Sequence, residues 1–374
     1  MVVTALLAYR YDWKYMYYFM MILLIVAILA VIILLRHDRP SHSVAVKELH
    51  LREMLIISTG LLMLIYVITY GKVLDWMASP RICIYIVVAP LLIALFLWEQ
   101  LNSPKPYVSL KPLFQWKAIV GYFYMMLVMF FSTSTSLLTS YMTTILHVDS
   151  TRTYTLYAWL FPGYIAGAFI CFWWFRWQRW RFRRFIGASM ACFAIFFGTL
   201  YFTISPDSTY EMLFLPTFLR GLGMLTLIIA FALFAVEDLP PKYLLSNAFF
   251  LITFRSVLTP VTASAFYSNA LYRLQQKYFV KISENITLAD PLPASRYTSA
   301  LASNLQQGHG MDTAEKLATN TLYNILQQQS TLLALKHILG WLFVITLAIA
   351  IISCFIPFHK TVRVPVIRTG EDMV

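Results

Sequence analysis

Two arginines stand alone inside long apolar stretches: Arg220 within 212–236 and Arg255 within 244–267. A guanidinium stays charged at every physiological pH and presents its donors in a planar fork, so it can hold a carboxylate, a phosphate or a strong dipole where water is scarce. Apolar surroundings make that charge costly, and each arginine is therefore a functional candidate. Arg255 lies 11 residues past residue 244, roughly 16 Å along a helix and so near the middle of a membrane crossing. It is read as lining a substrate cavity. Arg220 lies closer to one end of its stretch and is followed by Gly221 and Gly223. From that depth a long side chain reaches an interface or ties two helices together, so these three are structural or gating candidates. A hydroxyl run, Ser132-Thr133-Ser134-Thr135-Ser136, continues into Thr139, Ser140, Thr143 and Thr144. At helical spacing Ser132, Ser136, Thr139, Ser140 and Thr143 share one face. Such a stripe lines a polar cavity, or it lets helices approach through hydroxyl-to-carbonyl bonds. The stripe as a whole favours the cavity, and any one residue favours packing. Pro162-Gly163 and Gly167 make a small-residue helix contact beside a bend, a further structural candidate.

The missing chemistry is equally informative. Asp, Glu and His are absent from the middle of every apolar stretch, with Asp75, Glu99, Glu237 and Asp238 at the ends. A membrane group that gains and loses a proton is therefore not evident. His37, His42, His50, His147, His309, His337 and His359 form no catalytic grouping, which argues against a membrane-embedded enzyme. Cys83, Cys171, Cys192 and Cys354 lie in or beside apolar stretches without CxxC spacing, so neither a metal site nor a disulfide framework is expected. No cofactor is expected either. The net charge of +12 does not point to nucleic acid, because the basic residues sit at the ends of apolar stretches rather than on a polar domain.

The elements that must position these residues are membrane helices. A chain that is 60% hydrophobic and 12% charged has the bilayer as its main solvent. Uninterrupted apolarity predicts nine crossings, at 16–35, 54–70, 82–98, 118–138, 154–174, 185–204, 212–236, 244–267 and 335–356. The first is too long for a signal-peptide core and carries no small-residue cleavage site. Alternate loops hold most of the basic residues, including Arg36, Arg39, Lys47 and Arg52, then Lys105, Lys111 and Lys117, then Arg176 to Arg184, then Lys242, then Lys360, Arg363 and Arg368. By the positive-inside rule these loops are cytoplasmic, the C-terminus is inside and the N-terminus outside. The long external loop 270–331 is expected to hold helical extensions at 271–282 and 313–329, broken around Pro291 and Pro293. Trp173, Trp174, Trp177 and Trp180 read as an interfacial belt.

Four local patterns stand out: Tyr11-Asp12-Trp13-Lys14-Tyr15 with the aromatics after it, Gly71 with Trp76, Arg255 in its stretch, and Gln327-Gln328-Gln329 with Ala334. Together they resemble the major facilitator superfamily, in its fourteen-helix drug:proton antiporter branch, the first being similar to the Trp-Arg-Trp-x-Phe lead into that branch's sixth helix. Gly71 with Trp76 resembles its Gly-x-x-x-x-Trp exit from helix seven, Arg255 the arginine of helix thirteen, and Gln327-Gln328-Gln329 with Ala334 the approach to helix fourteen. The chain departs from the pattern at Thr259 and Pro260, where the branch has glycines, and in the 176–184 loop, which has no Asp.

The resemblance implies an all-α integral membrane protein whose nine helices correspond to helices six to fourteen, with the first five absent. Residues 1–35 would be the remnant of an N-terminal bundle and 36–117 two linker-type helices. Residues 118–356 would form a six-helix C-terminal bundle, and 357–374 a cytoplasmic tail. It implies efflux of small amphipathic compounds across a bacterial inner membrane, with lipid and a small-molecule substrate as partners. The alternative is a non-transporting membrane adaptor, or a half-transporter that needs a separate N-terminal half.

Overall fold

The computed structural model describes residues 3–4, 7–8, 11–34, 50–103, 106–177, 182–237, 239–284 and 291–356. Outside them lie most of the basic residues behind the expected orientation and the tail 357–374. Among the described residues every regular element is helical, and nine helices are long and apolar enough to cross a membrane. In chain order they are α1 (Trp13–Leu34), α2 (Leu51–Tyr70), α3 (Pro80–Asn102), α4 (Trp116–Thr144), α5 (Thr155–Arg176), α6 (Phe182–Thr203), α7 (Phe214–Phe234), α8 (Leu244–Glu284) and, after the short α9 (Pro291–Gln306), α10 (Met311–Phe355).

Helices α4 to α8 and α10 form one bundle, in which α6 packs between α7 and α10 and α7 also meets α4 and α5. Within their apolar windows 61% of α6 is buried and none of α1 is, so α6 is the most enclosed helix and α1 lies at the periphery. The core is aromatic: Tyr124 stacks on Phe231 with ring centroids 4.3 Å apart, and Phe131 meets Phe193 and Phe197. Each buried tyrosine has a partner for its hydroxyl, as burial demands. Tyr124 shares a bond with Ser353 Oγ at 2.9 Å, Tyr267 donates to the Phe130 carbonyl at 3.0 Å, and Tyr141 to the Ser205 carbonyl at 2.7 Å. A second cluster of Phe96, Val108, Ala118, Tyr122 and Phe250 ties α3 to α4 and α8.

Three helices depart from regular geometry, each for a local reason. In α4 the helix is interrupted by a turn at Ser134, between Trp116–Thr133 and Thr135–Thr144. Thr133, Ser134, Thr135 and Ser136 all donate to carbonyls three or four residues back, and this competition bends helices. In α5 the helix is interrupted by a turn at Trp159, between Ser150–Ala158 and Leu160–Trp177, because Pro162 lacks the N–H that would bond the Ala158 carbonyl. In α8 a π-helical segment, Thr253–Leu258, precedes Pro260. Proline supplies no donor to the Ser256 carbonyl, while the Thr259 N–H and hydroxyl both donate to the Phe254 carbonyl, five residues back.

The helical extensions expected at 271–282 and 313–329 are present within 270–331. α8 runs on to Glu284 and α10 begins at Met311. Pro291 starts α9 rather than breaking a helix, since the first turn has no use for its missing N–H. α10 spans 45 residues, about 67 Å, which exceeds a hydrocarbon core of about 30 Å more than twofold. Gln275 Nε2 donates to Thr331 Oγ1 at 2.9 Å, and Phe279 meets Tyr323 edge to face, fastening the two extensions together.

Candidate functional site

Arg220 is the most deeply placed charge. Its side chain is 4% exposed, held inside the bundle by α4, α5, α6 and α7, and reaches no interface. One terminal nitrogen donates to Thr135 Oγ1, and the guanidinium carbon lies 5.8 Å from the Phe196 ring centroid. Tyr157 and Tyr164, seven residues apart on one face of α5, lie within its electrostatic reach. Arg220 Nε is buried and has no hydrogen-bond partner among the described residues, and Ser132 Oγ is in the same condition. Leaving a buried donor unmade costs about 1–3 kcal/mol. Two such atoms, one on α4 and one on α7, are in that condition.

The hydroxyl stripe forms the α4 wall. Ser132, Ser136, Thr139 and Ser140 are half-buried and Thr143 is exposed, whereas Phe131, Leu137, Leu138, Tyr141 and Met142 point into the core. The stripe is thus the face of α4 turned away from the core. Its hydroxyls are mostly committed to the backbone: Ser136 to Thr133, Ser140 to Ser136 and Thr143 to Thr139. Thr139 also bonds the Tyr157 hydroxyl at 2.7 Å, joining α4 to α5 beside Arg220. The turn at Ser134 brings Thr135, which is off the expected face, onto the arginine.

The glycines set how closely these walls stand. A Cβ on Gly163 would collide with the Phe218 carbonyl, and one on Gly221 would lie 2.6 Å from the Leu160 carbonyl, so α5 and α7 meet through backbone. Gly167 faces Leu222 on α7, and Gly223 faces Ser189 and Cys192 on α6. Pro162 is exposed just past the turn at Trp159 in α5.

Arg255 is placed differently. It lies in the π segment of α8, is half-buried, and neither hydrogen-bonds nor pairs with any described residue. The structure does not bring it into contact with the stripe. Further along α8, Pro260, Ser264, Ser268 and Asn269 face Ile68, Thr69 and Lys72 of α2 and the following turn, across a cleft of about 600 Å³. The Lys72 ammonium sits 3.8 Å over the Tyr272 ring at its mouth. Sequence reasoning missed Thr135, Tyr157, Tyr164 and this cleft. The seven-residue spacing of the two tyrosines was the available signal.

The motif glycine at the end of α2 also has a visible task. A Cβ on Gly71 would lie 2.7 Å from the Trp76 ring, and the Trp76 N–H donates to the Gly71 carbonyl at 2.7 Å. The motif pair closes the turn between α2 and α3.

A family model, Major Facilitator Superfamily, matches residues 1–263. The chain belongs to the major facilitator superfamily. Its members are transporters rather than enzymes, and the match agrees with a nearly all-helical protein of nine candidate crossings among the described residues. No curated protein matches the sequence.

Proposed function

We propose that the protein exports small amphipathic compounds by alternating access, in a bacterial cytoplasmic membrane with its C-terminus inside. The observation that carries this reading is the pair of unpartnered buried atoms, Arg220 Nε and Ser132 Oγ, beside the Thr139–Tyr157 wall. A fixed guanidinium without a neighbouring acid suits a substrate with an anionic or strongly dipolar head and an apolar body. Arg255 and the stripe complete the cavity when a second bundle faces it.

The stripe also favours a second reading, a half-transporter that works with a partner half. Half-buried hydroxyls on the outer face of α4 are poorly suited to lipid and well suited to a water-filled cleft between two bundles.

The test is efflux of a fluorescent amphiphilic anion from cells expressing the chain, alone and together with a separately expressed N-terminal bundle. Arg220→Leu should lower efflux at least tenfold at an unchanged membrane level, with Arg220→Lys retaining part of it. Arg255→Ala should act in the same direction. Efflux unchanged by Arg220→Leu removes the site assignment, and no efflux in either expression format leaves the adaptor reading.

A further inference from the structure

A second built feature lies away from the Arg220 pocket, where α10 and α8 leave the apolar stretches. A groove of about 700 Å³ is bounded by Tyr201 and Phe202 of α6, Tyr278 of α8, and Lys336, His337, Trp341 and Val344 of α10. Three of its residues form one chain of bonds. Trp341 Nε1 is 3.0 Å from His337 Nε2, and His337 Nδ1 is 2.8 Å from the Tyr278 hydroxyl oxygen. An indole nitrogen can only donate, so His337 Nε2 accepts. The proton of the neutral ring is then on Nδ1 and is donated to Tyr278, which leaves the tyrosine O–H free to donate elsewhere. Two donors therefore serve the groove, the Tyr278 hydroxyl and the Lys336 ammonium. Among the described residues no Asp or Glu lines it.

The apolar side of the groove is equally defined. Phe202 is 77% exposed and Trp341 60% exposed, both beside the polar cluster. Tyr201 lies flat against α10 because Gly340 leaves it room: a Cβ there would be 3.2 Å from the ring. His337 is at the start of the last apolar stretch and Trp341 one turn deeper, the level at which headgroups give way to acyl chains. A donor pair at headgroup depth above an apolar strip matches one class of ligand.

We infer that this groove binds an anionic phospholipid, its phosphate taken by Lys336 and Tyr278 and an acyl chain laid along Phe202, Trp341 and Val344. His337 and Trp341 act as positioning residues that aim the Tyr278 proton outward. The lipid would act as a third wall between α6, α8 and α10 at the base of the extension.

The test uses the full chain purified in mild detergent, with bound lipid counted by native mass spectrometry during titration with phosphatidylglycerol or phosphatidylcholine. The intact protein should hold phosphatidylglycerol about tenfold more tightly than the Lys336→Gln, Tyr278→Phe double variant. Lys336→Arg should keep the affinity, and Trp341→Phe should lower it several-fold with both contact groups still in place. Inorganic phosphate in millimolar excess should not displace the lipid. Equal retention by Lys336→Gln, equal affinity for phosphatidylcholine, or displacement by inorganic phosphate would each overturn the assignment. Lys336→Gln alone changes one half-exposed side chain and no packing, so its outcome stands even if the double variant folds poorly.

Discussion

At the residue scale, the two membrane arginines show how far position along a stretch predicts environment. Depth singles out Arg255, yet the side chain that the bundle encloses is Arg220, because enclosure depends on which face of a helix meets its neighbours. Ser132 allows packing and function to be separated. Its hydroxyl is buried without a partner, so Ser132→Ala removes no bond and relieves a desolvation cost of about 1–3 kcal/mol; the thermal unfolding midpoint should hold or rise. Transport should nevertheless change several-fold if the hydroxyl faces substrate. Thr135→Val should behave in the opposite way, stranding the guanidinium and destabilising the bundle by about 1–3 kcal/mol. Chemical or thermal denaturation in detergent measures both.

At the element scale, apolar length predicts nine crossings, and nine helices of that kind stand among the described residues. Interruptions were harder to read. The hydroxyl run reads as a continuous stripe by spacing, but the same hydroxyls bond backwards and turn the helix at Ser134. The departure from the glycine pattern at Thr259 and Pro260 is visible in the sequence, whereas its consequence, a π segment that holds Arg255, depends on where the freed carbonyl finds a donor. The α5–α7 contact offers the clearest test at this scale. Gly221→Val places a branched side chain against the Leu160 carbonyl, so it should separate the two helices at a cost of about 1–3 kcal/mol and reduce the folded yield. Gly308→Ala at the far tip, where a Cβ meets nothing but φ is +87°, should change the yield much less.

At the scale of the whole molecule, the α2–α3 pair joins the bundle through contacts at two levels. Besides the Phe96–Phe250 cluster, Gln100 donates to Glu53 at 2.6 Å and accepts from the Val108 N–H at 2.9 Å, and the Ser109 N–H donates to Ser246 Oγ at 2.9 Å. Lys117 pairs with Glu237 at 3.1 Å nearby, both largely buried. A Gln100→Leu, Ser246→Ala variant should free the connection 103–115, raising its rate of proteolysis about tenfold while the bundle stays intact; limited digestion followed by mass mapping reads this directly. None of these links follows a periodicity. They join residues 8 to 137 positions apart, which is why apolar pattern gave the helices and not the attachments.

The two long helices have a mechanical consequence. From Thr259 the regular part of α8 runs 26 residues to Glu284, about 39 Å, as a stiff rod mounted on the π segment. A tilt of about 10° at that mounting would carry its far end through about 7 Å at this rise per residue. Because Gln275 and Phe279 fasten the rod to α10, both would swing as one boom. The distal tip is thus a natural indicator needle, where a spin or fluorescent label would register small angular changes deep in the membrane.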